Sequence, residues 1–264
     1  MKFVNKYSGS KGNLTVVREG GRAVLIDCGG GSGKIFPAIK SCGLSPSDVD
    51  AVLVTHEHSD HIGGMETLLA ANPQIKVYVH AKGYAALVDK FRQYEGRIIS
   101  FDSPFDAGAF RVEYYPCSHD SVYCCGYKLT DDKGMSVASV TDTGEVDDKT
   151  LLAFFNGCDT VLLESNHDVK MLTEGNYTAQ LKKRILGANG HLSNARAAQI
   201  VSRLPDINVK NVFLGHLSLD NNTEEIAFAE SINALVSRGA VDGRDICVYV
   251  ARQLFGGKEI NVNR

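Results

Sequence analysis

Thr55-His56-Glu57-His58-Ser59-Asp60-His61 follows directly on the apolar run Ala51-Val52-Leu53-Val54. Three histidines and an aspartate fall within six residues, and imidazole mixed with carboxylate suits zinc, manganese or iron. A run of β-branched and aliphatic residues that stops at a polar cluster reads as a buried strand ending in a loop. Ligands at a strand end are held rigidly yet face solvent, as a reactive metal requires. The next residues, Ile62-Gly63-Gly64-Met65-Glu66-Thr67-Leu68-Leu69, start a helix and put Asp60 and His61 in its first turn. His56 and His58, at i and i+2 of an extended loop, can face one ion while Asp60 and His61 face another. One histidine alone is more often a core or surface residue than a ligand. Four potential ligands this close together make a metal loop.

Outward from this loop the chain keeps delivering polar groups at strand ends. Ala23-Val24-Leu25-Ile26 ends at Asp27-Cys28-Gly29-Gly30, and Phe110 to Tyr115 ends at Pro116-Cys117-Ser118-His119. Ser136 to Val140 ends at Thr141-Asp142, Thr160 to Leu163 at Glu164, and Val209 to Leu214 at Gly215-His216. His191 opens a helix over Ala195–Leu204. Such repeated placement implies that these groups converge on one edge of the sheets. Further helices are expected over Ile35–Cys42, Gly83–Phe91, Asp147–Phe155, Tyr177–Leu186 and from Asn222 or Thr223 to Arg238. The last strand is expected over Ile246–Ala251. Strands and helices alternate with no linker or shift in composition, so residues 1–264 read as one α/β domain.

Composition narrows the class. The 264 residues are 44 % hydrophobic and 22 % charged with a formal net charge of −3, the profile of a soluble globular chain able to bury a large core. Seven scattered cysteines, none in a Cys-x-x-Cys pair, point to reduced thiols. The polar start, Met1-Lys2-Phe3-Val4-Asn5-Lys6-Tyr7, does not read as a signal peptide, and no apolar run approaches the roughly 18 residues of a membrane helix. A cytoplasmic protein with no membrane partner is the expectation. Gly29-Gly30-Gly31-Ser32-Gly33-Lys34 is not a phosphate loop, because Ile35 stands where Ser or Thr is required.

The order His56-x-His58-x-Asp60-His61, His119, Asp142, His216 resembles the metallo-β-lactamase fold superfamily. That resemblance implies an αββα four-layer sandwich with a dinuclear site at one edge. It assigns His56, His58 and His119 to one metal, Asp60, His61 and His216 to the other, and Asp142 to the bridge. The cofactors implied are two divalent ions, Zn2+ or Mn2+. Ser8-Gly9-Ser10-x-Gly12-Asn13, Glu164-Ser165-Asn166-His167-Asp168, Gly190-His191-Leu192-Ser193-Asn194 and Gly215-His216-Leu217-Ser218 narrow the likeness to the bacterial YycJ/WalJ-type proteins. That family is cytoplasmic and is associated with 5′-to-3′ exonuclease activity on DNA. The last three motifs also resemble those of tRNase Z, where a glutamate after a strand and a histidine before a helix handle a proton; here these are Glu164 and His191.

The chemistry implied is phosphodiester hydrolysis. Two metals about 3.5–4 Å apart bind a bridging hydroxide and clamp the oxygens of an in-line displacement. Asp60 helps to hold that assembly, and His191 oriented by Glu164 supplies the proton to the departing sugar oxygen. Asp27 is expected to accept a hydrogen bond from a ligand histidine. Asn166, Ser193 and the cluster Lys182-Lys183-Arg184 with Arg196 are candidate phosphate contacts, and Tyr114, Tyr115, Tyr123 and Tyr127 candidate stacking residues that core packing competes for. DNA is the expected substrate ahead of RNA. The alternatives are an RNA-processing nuclease, a small-molecule ester or thioester hydrolase, and a catalytically idle metal protein. Against them stand the absence of a helical substrate domain after residues 246–251, ordinary elements filling the stretch from Asp142 to His216, and a ligand set with no gap.

Overall fold

Neighbouring residues of the first strands fall into different hydrophobic clusters. Ala23 and Leu25 pack with Val52 and Val77 on one face, whereas Val24 and Ile26 pack with Ala51 and Leu53 on the other. This period of two makes a strand buried on both sides, so each sheet must be covered twice. The computed structural model describes residues 1–253 and 257–262 and resolves the covering as four layers.

The first sheet contains β1 (Lys2–Tyr7), β2 (Leu14–Glu19), β3 (Arg22–Ile26), β4 (Val49–Leu53), β5 (Lys76–His80) and β6 (Ile98–Phe101) in sequence order, parallel from β3 onward. The second contains β7 (Phe105–Ala107), β8 (Phe110–Cys117), β9 (Cys124–Thr130), β10 (Ser136–Val140), β11 (Cys158–Glu164), β12 (Asn211–Gly215) and β13 (Cys247–Val250), also in sequence order. A last strand, β14 (Glu259–Asn261), returns to pair antiparallel with β1. Between the sheets, Phe3, Val24 and Leu53 meet Val137, Leu162 and Phe213.

The outer layers are helical. α1 (Ser32–Ser41), α2 (Ser59–Ile62), α3 (Met65–Ala71) and α4 (Tyr84–Lys90) belong to the first half, where Ile35, Leu68 and Leu87 pack on the first sheet. α5 (Asp148–Phe155), α6 (Val169–Glu174), α7 (Ala179–Ile185), α8 (Asn194–Val201) and α9 (Glu224–Ser237) belong to the second, where Leu151, Ala197 and Leu235 cover the second sheet. Among the described residues no helix is long and apolar enough to cross a membrane. The fold is therefore the expected αββα sandwich.

Three strands lie outside the sequence reading: β6, β7 and β14 are only three or four residues long and show little alternation. Ile246–Ala251 is not the last strand, because β14 follows it. The helix expected to run to Leu204 stops at Val201 and gives way to a 3-10 turn over Leu204–Ile207.

Candidate metal centre

The metal loop is built by three segments stitched through their backbones. Cys28 N–H donates to His61 C=O at 2.7 Å, Gly29 N–H to Asn13 C=O at 2.9 Å, and Asn13 N–H to Asp60 C=O at 2.8 Å. Gly29 is required at this junction, since a Cβ there would lie 1.7 Å from the Asp60 carbonyl oxygen. Among the described residues, three of the four non-glycine residues with positive φ are at the site: Asp27 at 61°, Asp142 at 54° and His216 at 56°. Backbone held in this region costs free energy and persists where surrounding contacts fix it.

The seven expected ligands come together. Donor atoms of His56, His58 and His119 lie within 4.8 Å of one another, as do those of Asp60, His61 and His216. Asp142 stands between the trios, with Oδ2 3.2 Å from His61 Nε2 and Oδ1 3.3 Å from His216 Nε2 and 3.9 Å from His119 Nε2. His56 Nε2, Asp142 Oδ2 and His216 Nε2 are buried with no hydrogen-bond partner. Buried polar atoms are normally satisfied, and imidazole nitrogens gathered around a carboxylate without hydrogen bonds are a donor set for divalent cations.

The electrostatics divide the histidines. Burial, reinforced by crowding from His61, His119 and His58, holds His56 well below the usual imidazole range, and burial also lowers His119. At His61 burial pulls the same way but is outweighed by the carboxylates of Asp27 and Asp142, which hold it well above that range. His216 is likewise raised to about 10, by Asp142, Asp60 and Glu164 against burial.

A layer of acceptors fixes the rings. Asp27 Oδ2 lies 2.7 Å from His61 Nδ1, and its Oδ1 accepts Thr55 N–H at 2.9 Å, as expected for a carboxylate that orients a ligand histidine. Glu164 is wholly buried at the end of β11, and its Oε1 lies 2.7 Å from Nδ1 of His191. The same oxygen lies 2.9 Å from Nδ1 of His216, while Oε2 accepts the N–H groups of Thr143 and Leu192 at 2.8 and 3.1 Å. Burial would raise the Glu164 carboxyl, but His191 and His216 outweigh it and lower it to about 2. Glu164 is an anion at neutral pH. His191 keeps 16 % of its side chain exposed and completes a further cluster with Asp142, Glu164 and His216.

The family model described as "Beta-lactamase superfamily domain" matches residues 22–217. The chain is 35 % identical over 256 residues to "Exodeoxyribonuclease WalJ" of Streptococcus pneumoniae serotype 2, covering 94 % of this chain and 93 % of that protein. It is 36 % identical over 236 residues to "Exodeoxyribonuclease YycJ" of Bacillus anthracis, covering 88 % of each. The chain belongs to the β-lactamase superfamily, beside WalJ and YycJ. In fold it is similar to the metallo-β-lactamase fold protein YhfI from Bacillus subtilis, with a TM-score of 0.71 over 98 % of each chain at 19 % identity. Superfamily membership and the clustered donors make it a metal-dependent hydrolase.

Other members of the site have roles the sequence does not announce. Asn13 Nδ2 stands 3.0 Å from His61 Nε2 and 3.4 Å from Asp60 Oδ2, so the Ser8–Asn13 motif reaches the centre itself. Ser8 Oγ accepts the N–H of His216 at 2.9 Å. Thr55 Oγ1 lies 3.0 Å from His56 Nδ1 and 3.1 Å from His61 Nδ1.

Several candidate substrate contacts are occupied within the protein. Arg184 pairs with Asp120 and Arg196 with Asp148, and Lys182 donates to Thr173 C=O. Asn166 Nδ2 donates to His216 C=O at 2.8 Å, and Ser193 Oγ caps α8 by accepting Arg196 N–H. Tyr127 is buried with its hydroxyl on Val54 C=O, and Tyr115 is core. His80 accepts Lys82 N–H and is structural.

Proposed function

We propose that this protein is a divalent-metal-dependent DNA exonuclease of the cytoplasm, digesting from the 5′ end. The observation that carries the reading is the Glu164–His191 pair, 2.7 Å apart, set against two three-donor clusters that share Asp142. Names of relatives matched over nearly their whole length favour DNA. The 5′-to-3′ direction and the cytoplasmic location rest on the WalJ/YycJ resemblance.

His56, His58 and His119 would hold one cation, Asp60, His61 and His216 a second, with Asp142 reaching both; zinc or manganese suits these donors. Bound there, the cations supply Lewis acidity at the phosphate and lower the pKa of the attacking water. The chain's own groups do the rest. Glu164 Oε1 takes the Nδ1 hydrogen of His191 and leaves Nε2 to carry the proton that the departing sugar oxygen needs. The buried carboxylate stabilises the protonated imidazole and fixes its plane. Asp27 likewise accepts from His61 Nδ1 and fixes the plane of that ring. Asn13 is placed to donate at the rim formed by Asp60 and His61.

Digestion of end-labelled single- and double-stranded DNA and RNA, with Mn2+, Zn2+ or chelator, tests the reading. Mononucleotides released from 5′-labelled DNA, abolished by chelator, are the expected result. Cleavage of none of the polymers would point instead to a small-molecule ester or thioester.

A further inference from the structure

A cavity of about 470 Å³ adjoins His191, with Val146, His167, Val169, Leu186 and Ser193 among its walls. Its volume is in the range of small-ligand sites. His167 is 1 % exposed, and its Nε2 is buried with no hydrogen-bond partner. Its backbone is locked, since His167 C=O accepts Asn194 N–H at 2.8 Å and the residue bridges to Ser193.

The state of this imidazole follows from its neighbour. Asn166 donates through Nδ2 to His216 C=O, so its Oδ1 is the atom facing His167 Nδ1, at 3.3 Å. An amide oxygen only accepts, so Nδ1 of His167 carries the hydrogen and Nε2 offers a bare lone pair. Burial lowers the pKa of the ring to about 4, so it is neutral near pH 7. A neutral acceptor meets a hydroxyl or amino group and repels a phosphate oxygen. Val169 and Leu186, 43 % and 48 % exposed, add apolar surface for a flat ring.

We propose that this cavity is the subsite for the nucleoside carrying the departing oxygen, and that a small shift of its wall on binding lets His167 Nε2, covered in the free protein, accept a hydrogen bond from a hydroxyl or amino group of it. The inference rests on the nuclease reading, which places that oxygen at His191. His167 is then a specificity-determining residue, lining the same cavity as His191.

Two measurements on the full chain test it. In the zinc-loaded protein labelled with 15N-histidine, deoxyadenosine should shift the Nε2 resonance of His167, identified by its loss in His167→Phe, and inorganic phosphate should not. No shift with deoxyadenosine, or an equal one with phosphate, overturns the proposal. In the second, His167→Phe, and Leu186→Trp, which fills the cavity from its exposed edge, should raise KM for a DNA oligonucleotide at least about tenfold, the usual worth of an unmade polar contact or lost fit. His167→Gln, which keeps an acceptor, should recover most of the loss. The loss should exceed by about tenfold that on bis(p-nitrophenyl) phosphate, which has no sugar. Equal losses on both substrates would mean that His167 only braces the Glu164 loop, and would sink the subsite. A wild-type protein that cleaves neither substrate defeats the nuclease reading alone, and the titration still decides the cavity.

Discussion

Oε1 of Glu164 lies 2.9 Å from Nδ1 of His216, and so joins a metal-ligand candidate to the same carboxylate oxygen that orients His191. In the proposed mechanism Glu164 therefore links cation binding to proton delivery. Its Oε2 is also taken, by two backbone N–H groups, so all four contacts of the carboxylate are donors.

Glu164→Gln therefore cannot be accommodated. Whichever way the amide turns, its NH2 faces two donors, either the imidazoles or Thr143 and Leu192 N–H. We expect cation affinity to weaken roughly 10–100-fold, as for other supports of ligand histidines, together with a loss of rate. Metal titration monitored by calorimetry checks this; unchanged affinity would mean that the His216 contact is incidental.

His191→Ala separates the two functions. His191 Nδ1 is 3.9 Å from Asp142 Oδ1, and its main partner is Glu164, so both cations should remain. Cleavage should slow by roughly 10²–10⁴, the worth of a general acid. Elemental analysis beside single-turnover kinetics gives both numbers, and a wild-type rate removes His191 as proton donor.

Much of this centre is legible in the sequence because its ligands are clustered or begin within three residues of the end of an apolar strand. His56 to His61 follow β4, Asp142 follows β10 and His216 follows β12. What escapes is pairing across the chain. Nothing near Asn13 in sequence reports its contact with His61, 48 residues on, and the second bond of Glu164 spans 52 residues. The short strands escape for a related reason: β14 exists because Phe3 and its neighbours offer an edge to Ile260, not through local propensity. The arginines of the basic cluster read as phosphate contacts, and nothing in the sequence signals that they also pair with Asp120 and Asp148 across the fold.

Asp142→Asn tests the shared ligand. Asparagine keeps the volume and tolerates the φ of 54°, so the change removes charge with little backbone strain. With the two cations proposed for the parent, bound divalent ions should fall to at most one per chain, with cleavage lost. Two tightly held ions in the purified variant would eliminate Asp142 as the bridge.

Asp27→Asn probes orientation alone. Asp27 touches His61 Nδ1 and Thr55 but approaches no other member of the donor trios in the hydrogen bonds described. An amide oxygen can still accept from His61, yet it no longer stabilises charge on the ring, and we expect cation affinity to drop about tenfold, the lower end for such partners. Competition with a zinc chelator measures it; a loss confined to thermal stability would make Asp27 a packing residue.

Gly29→Ala tests the framework under all of these. The added methyl would overlap the Asp60 carbonyl oxygen at 1.7 Å and the Asn13 amide nitrogen at 2.6 Å, both backbone atoms held by the hydrogen bonds that shape the loop. Neither can yield without opening the Asn13–Asp60 and Gly29–Asn13 contacts, which carry Asp60 and His61 into place. We expect a loss of at least about 3 kcal/mol, which lowers Tm by roughly 6–12 °C in a chain of this size. Cation binding should fall with it, because the second donor trio is anchored there. Calorimetric unfolding with and without zinc checks both, and a variant that melts and binds as the parent does would mean that the junction can spread at little cost.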